Sequence, residues 1–358
     1  MNITRNTIAL LVGFFLLTGI CYHYYESLIL APKTNSVVDP HVTNMYRKRT
    51  TVTVSETPPE IKEKVKELPK YMDPCTDRST MTDTMGQPGI VIGMRRASDS
   101  KVPHVYAGVS ITILGETRGL IDSGVANFGT DEFPVQMMAK LTTSKIYFDV
   151  GANHGLTSLP VAAMSEKHIV HGFEPVPNMV DRLCISKTLG HWQFNDRLHY
   201  VETVVTNFTG RTILYIPKGR EDNAASSRLS ITVPGEPEPK DVQALKLDDY
   251  IAALNIDVIT LLKIDVQGGE LFVLKGAENA LKTGKIQAIY AENSAGLMEG
   301  NGVTPEMICG YMLGLGWYPY GEDWNVFNIV DNTFVVNPKA KRLLNCRDTG
   351  NNIFWFPG

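Results

Sequence analysis

Lys145-Ile-Tyr-Phe-Asp149-Val-Gly151-Ala-Asn153-His154-Gly155 is the stretch whose reading decides the fold. An apolar strand runs into a carboxylate, then into a glycine turn that opens a helix. A second apolar run, Ile169-Val-His-Gly-Phe173, ends in Glu174-Pro175 about one strand–helix–strand unit later. This is the layout of a nucleotide-type cofactor site at the carboxyl end of a parallel sheet. The glycine spacing then separates cofactors. A dinucleotide site needs G-x-G-x-x-G, with helix N–H groups facing a pyrophosphate. Here the pattern is D-x-G-x-N-x-G. A carboxylate ahead of the turn suits a cofactor with cationic groups rather than phosphates. S-adenosylmethionine carries a sulfonium and an ammonium beside a ribose diol, and it fits.

Each position in that turn has an expected task. Asp149 is placed to bind the cofactor ammonium, directly or through water. Gly151 permits a positive φ, and Gly155 lets the backbone approach closely. Asn153 tolerates unusual backbone angles, and Ala152 lies inside the same turn. Glu174, with Pro175 after it, ends the second strand, where a carboxylate accepts both hydrogen bonds of a ribose diol. These signals alone also suit a variant NAD site.

Outward from Ile146, strand and helix alternate, which argues for a parallel sheet covered on both faces. Strands are expected at 146–150, 169–173, 199–205, 259–265 and 286–291, with an extra strand at 210–216. Pro234-Gly-Glu-Pro-Glu-Pro239 reads as a loop. Residues 325–329 and 332–336 read as a closing antiparallel pair around Val330-Asp331. Upstream, 89–95 and 105–114 read as short strands. A helix is expected at 131–141, with Phe133, Met137, Met138 and Leu141 on one face.

The third motif is Leu261-Leu-Lys263-Ile-Asp265-Val-Gln267-Gly268-Gly269-Glu270-Leu-Phe-Val-Leu-Lys-Gly276-Ala. A buried strand enters a charged turn and then an amphipathic helix, with Leu271, Leu274, Ala277 and Leu281 on one face. Lys263, Asp265 and Glu270 crowd one strand end, where open α/β sheets bind ligands. Together with the first motif, this run closely resembles the FkbM family of S-adenosylmethionine-dependent methyltransferases. The family hallmark is K-I-D-V-E-G-A-E-x-x-V-L-x-G-A. The departures are Gln267 for the usual Glu, Gly269 for the usual Ala, and His154 for a common apolar residue in the first motif. The resemblance covers roughly Phe133 to Val336 and includes the serine pair Ser226-Ser227.

The resemblance implies a Rossmann-like class I methyltransferase sheet of the α/β class. That sheet is mostly parallel, with helices on both faces and an antiparallel C-terminal strand. It implies O-methylation, often of sugar or polyketide hydroxyls. Such chemistry aligns a hydroxyl behind an activated methyl and removes its proton. Asp265 and Glu270 are the candidate bases, with Glu292 and His154 behind them. A structural pairing of Asp265 and Glu270 with Lys263 is the competing reading. Gln267 removes one candidate base or metal ligand, and no C-x-x-C or H-x-x-x-H spacing suggests zinc. A catalytically silent binding protein of the same fold, or an NAD-dependent oxidoreductase, are the alternative readings.

The rest of the chain frames this head. Composition is 43% hydrophobic and 20% charged, which is globular rather than disordered. The formal charge of −4, with only the short basic cluster Arg47-Lys48-Arg49, points away from a nucleic-acid partner. Asn6 to Tyr25 carries no formal charge, and Arg5 precedes it. Twenty helical residues span about 30 Å, one bilayer core. The positive-inside bias then predicts a single-pass type II membrane protein, in the Golgi or endoplasmic reticulum with a lumenal head. A cleaved signal peptide and a secreted product are the rival reading, disfavoured by the missing A-x-A site. The expected layout is an anchor at 1–30, a proline-broken stem at 31–85, a β/α extension at 86–145 and the methyltransferase domain at 146–358. Glu60 to Lys70, of mixed charge, reads as a short solvated helix within the stem. A glycan hydroxyl is the expected acceptor by analogy with that placement, and Asn207-Phe-Thr209 is a glycosylation sequon. Among five cysteines, Cys75 with Cys346 is the expected disulfide, and Cys184 reads as a core thiol.

Overall fold

A computed structural model describes residues 74–75, 90–93, 110–113, 132–164, 167–189, 194, 197–218, 229, 236–344, 346–347 and 352–358. The expected anchor at 6–25, the solvated helix at 60–70 and the pair Ser226-Ser227 lie outside them. Two short strands, β1 (Ile90–Gly93) and β2 (Ser110–Ile113), pair antiparallel. Helix α1 (Glu132–Ala139) then buries Val135, Met137 and Met138. The chain continues through β3 (Ile146–Val150), α2 (Ser158–Met164), β4 (Ile169–Glu174), α3 (Pro177–Leu189) and β5 (Leu198–Glu202). Three further strands, β6 (Val204–Val205), β7 (Gly210–Pro217) and β8 (Pro237–Leu245), form a small separate sheet in the order β6-β8-β7. Next come α4 (Leu247–Ala253), β9 (Leu261–Ile264), α5 (Glu270–Gly276), α6 (Glu278–Lys282) and β10 (Ile289–Glu292). The chain closes with α7 (Ala295–Glu299), α8 (Pro305–Gly314), β11 (Trp317–Gly321), the hairpin β12 (Phe327–Val330) and β13 (Thr333–Val336), and β14 (Asn352–Pro357).

The main sheet has seven strands in the order β11-β14-β10-β9-β3-β4-β5. The five strands from β10 to β5 run parallel, and β14 pairs antiparallel with both β10 and β11. A strand covered on both faces reads as a nearly continuous apolar run. In β3, Tyr147 packs with Val170 and Tyr200 on one side. Phe148 and Val150 pack with Phe173, Leu262 and Ile264 on the other. The two-residue period of a strand sends alternate side chains to opposite cores. Truncating the fully buried Phe148 to Ala costs about 3–5 kcal/mol on this basis.

Several expectations shift in register. The strand expected at 199–205 breaks at Thr203, so β5 stays in the main sheet and β6 joins the small one. The loop expected at 234–239 overlaps β8. Pro237 and Pro239 sit on the part of β8 that pairs only with β7, because β6 reaches just Ala244 and Leu245. A missing N–H is tolerated on such an open side. The pair expected at 325–329 and 332–336 forms, but as a sheet of its own. The antiparallel C-terminal strand of the main sheet is instead β14, whose Ile353, Phe354, Trp355 and Phe356 are all buried.

The expected disulfide is corrected. Cys75 pairs with Cys184, and Cys309 pairs with Cys346. Cys184 is a bridge on α3 rather than a core thiol. Cys309 lies on α8, a helix capped by the Thr304 hydroxyl and started by Pro305. The segment leading into β14 passes beside it and brings Cys346 within a Cα–Cα distance of 5.9 Å. The membrane placement is corrected as well. Among the described residues, no helix is long and apolar enough to cross a membrane. The type II Golgi or endoplasmic reticulum assignment is corrected on that ground: no described helix supports it.

Candidate active site

The turn after β3 is built by glycine and by its neighbours' carbonyls. Gly151 has φ +81°, and a Cβ there would stand 1.8 Å from the Asp265 carbonyl oxygen. Both facts restrict the position to glycine. The Gly151 and Ala152 N–H groups both donate to the Phe173 carbonyl at 3.0 Å, locking the turn to the end of β4. Asn153 sits at φ +49°, a region that asparagine enters more readily than most residues. Its N–H donates to Glu174 Oε2 at 2.9 Å.

Asp149 is fully buried and turned toward the protein. Its Oδ1 pairs with Lys263 Nζ at 3.1 Å. Its Oδ2 accepts from the Thr157 hydroxyl at 2.5 Å and from the Ser158 N–H at 3.1 Å. Lys263 Nζ also donates to the Gly151 carbonyl at 2.8 Å. One ammonium thus ties β9 to the end of β3 and to its turn. A buried charge pair of this kind keeps its geometry through the further hydrogen bonds that Thr157, Ser158 and the Gly151 carbonyl supply.

Glu174 is the other carboxylate, and it faces a cleft. Its Oε1 accepts from the Val176 N–H at 3.0 Å, while Oε2 takes the Asn153 N–H. Each oxygen keeps lone-pair capacity for a further donor. Burial pushes the carboxyl up to about 7, against the pull of those two N–H bonds and of Lys263.

The turn after β9 repeats the plan with different chemistry. Gln267 and Gly268 take φ +57° and φ +99°. Glu270 holds them there, because its Oε1 accepts from both the Val266 N–H at 3.2 Å and the Gly268 N–H at 3.1 Å. Glu270 is almost wholly buried, and burial pushes its carboxyl up to about 7. The Gln267 amide donates to Asp265 Oδ1 at 2.8 Å and to Glu292 Oε2 at 3.2 Å. Burial first, then the Asp265 and Glu270 carboxylates, push Glu292 up to about 9. Among the described residues, no group of three or more acids, histidines or cysteines is arranged to hold a metal ion.

A cleft with about 670 Å³ of empty space, part of it open to solvent, lies at these strand ends. Of the residues expected at the site, Gly151, Asn153, Glu174, Pro175 and Asp265 line it. Asp149, Ala152, Gly155, His154, Glu270 and Glu292 are not among its lining residues. Asp149 and Glu270 instead hold the two turns, and His154 is buried in the first. The wall missed from sequence is apolar: Val204, Val205, Leu214 and Leu229. It comes from the small sheet and the 229 position, which pack with Val176, Met179 and Ile216. The signal available was Val204-Val205 directly after a strand end. Leu214 and Leu229 carried none, because only the tertiary fold brings them there.

The donor set fits S-adenosylmethionine. Among the described residues, two carboxylates line the cleft and no lysine or arginine does. A pyrophosphate would meet only negative charge, whereas a sulfonium cofactor would be held. Glu174 offers acceptors to a diol, and the apolar wall offers a surface to an adenine ring.

Residues 149–316 match the family model described as the methyltransferase FkbM domain. This part of the chain belongs to the FkbM methyltransferases, and the protein is an S-adenosylmethionine-dependent methyltransferase. The silent-binder and NAD-oxidoreductase readings fall with that assignment. Solved structures similar to it include a precorrin-6y C5,15-methyltransferase from Geobacter metallireducens, with 8% identity and a TM-score of 0.32. That match covers 64% of this chain and 88% of the other. An O-methyltransferase from Thermotoga maritima shows 10% identity, a TM-score of 0.33, and coverage of 65% and 66%. An rRNA methylase from Streptococcus thermophilus shows 10% identity, a TM-score of 0.29, and coverage of 64% and 94%. No curated protein matches the chain.

Proposed function

We propose that the protein transfers a methyl group to a hydroxyl oxygen of a small acceptor, with Asp265 as the base. The observation that carries this reading is the placement of Asp265. Among the four candidate bases, it alone lines the cleft. Its side chain is about one-third exposed, so an acceptor can reach it. The cofactor, when bound, supplies a methyl group already activated by positive sulfur. Glu174 would hold the ribose diol through its two oxygens, and Asn153 and Gly151 would fix the turn beneath. Asp265 accepts the acceptor's hydroxyl proton as the oxygen becomes nucleophilic. Glu270 keeps the Asp265 turn in shape, and Lys263 keeps Asp149 neutralised behind it. No described residue argues for a glycan, so the acceptor is proposed only as a hydroxyl compound.

Calorimetric titration of the whole chain with S-adenosylmethionine, and separately with NAD, tests the cofactor half. Glu174→Gln should weaken S-adenosylmethionine binding roughly 10- to 100-fold, the effect of losing charge-assisted hydrogen bonds worth about 1.5–3 kcal/mol. NAD binding in place of S-adenosylmethionine would overturn the proposal.

A further inference from the structure

Gln267 is where this chain departs from the family's usual glutamate, and the structure shows what the amide does there. Its Nε2 carries two N–H groups, and two carboxyl groups lie within reach. A third carboxylate at this position would crowd acids with no donor between them. The backbone at Gln267 is left-handed, and Glu270 braces the peptides on both sides of it. The next residue is packed so that a Cβ at Gly268 would stand 2.2 Å from the Leu297 carbonyl oxygen. The amide is therefore aimed by the fold rather than by chance rotation.

We propose that Gln267 is a positioning residue: its two amide N–H groups hold Asp265 and Glu292 in one arrangement, with the Asp265 carboxylate facing the cleft. The shorter bond goes to Asp265, as expected for the charge-assisted member. Asp265 also has Lys263 Nζ at 3.9 Å, with Asp149 behind that lysine. Glu292 is set deeper, facing Asp265 and Glu270, and its neutral form is favoured there. The consequence rests on the reading of Asp265 as base. A hydroxyl acceptor meets a charged carboxylate held in one orientation, with its neutral partner shielded.

The test is a carboxyl-carbon NMR titration of the whole chain labelled at Asp and Glu. Asp265→Asn and Glu292→Gln identify the two signals. In the native chain, Glu292 should stay protonated at neutral pH. In Gln267→Met, which keeps length and removes both donors, the proton affinity of Asp265 should rise about tenfold, roughly one pKa unit. In Gln267→Glu, the pair should no longer titrate as two separated steps. An Asp265 titration unchanged in both variants would overturn the proposal. The measurement needs no acceptor and no turnover. Failure of the methyltransferase reading, seen as absent cofactor binding in the native chain, is thus distinguishable from failure of the coupling.

Discussion

The turn after β3 and the turn after β9 share one plan and serve opposite ends. Each follows a buried strand, carries an aspartate at the strand end, passes through left-handed residues and opens a helix. In the first turn the aspartate is buried against Lys263, Thr157 and Ser158. In the second the aspartate opens to the cleft and is held by an amide. The difference comes from Lys263. It projects from β9, stands 3.1 Å from Asp149 and 3.9 Å from Asp265, and so neutralises the first far more than the second. A strand-end carboxylate is therefore a binding group only when no buried cation claims it.

Breaking the first turn should have the largest effect. Asp149→Asn leaves the Lys263 ammonium buried without its counter-charge and should cost about 3–5 kcal/mol, read by denaturant unfolding. A loss under about 1 kcal/mol would mean that the pair is not what holds the turn.

The brace of the second turn should show itself through pH. The Glu270 carboxyl is raised from 4.5 to about 7 by burial, so the folded chain binds that proton more tightly than the unfolded one. Its contribution is fully present at low pH and is lost as pH rises from the unfolded value through the folded one. Glu270→Gln should flatten that fall, by about 3 kcal/mol at most. An unchanged pH slope would show that Glu270 is solvated rather than a buried brace.

Glu174 sharpens the contrast between holding a turn and binding a ligand. Its carboxyl is raised to about 7, so S-adenosylmethionine binding should weaken as pH falls through that value and the acceptor charge is lost. Glu174→Gln should abolish this pH dependence in the titration. The smallest effect on folding should come from Asp265→Asn. Its side chain is one-third exposed and its contact with Lys263, at 3.9 Å, is the longer of that lysine's two, so unfolding should change by less than about 1 kcal/mol. A loss as large as that of Asp149→Asn would erase the distinction between the two turns.

Much of this was legible in the residues. The alternation from Ile146 onward yielded the five parallel strands, because a doubly covered strand is apolar along most of its length. Gly151 and Asn153 announced their backbone angles by residue type, and Glu174 announced a strand-end acceptor. The β14 strand was missed although Asn352-Ile-Phe-Trp-Phe-Pro357 is an apolar run, because antiparallel insertion between β10 and β11 has no local signature. Pro237 and Pro239 read as loop because proline cost is counted locally, whereas the open side of β8 is a property of the sheet. Cysteine pairing failed for the same reason, since sequence separation says nothing of which Cα atoms meet.

By itself the sequence determined the strand–helix alternation, the glycine turns, the acids at the strand ends and the family of the domain. Those depend on residue type and on spacing within one turn or one strand. Only the tertiary structure decided which acid faces the cleft, because Lys263 meets Asp149 from the neighbouring strand. It also decided that the Gln267 amide bonds both Asp265 and Glu292, the latter 25 residues on. Direction and partner are set by contacts between elements, and a one-dimensional pattern carries no such distances.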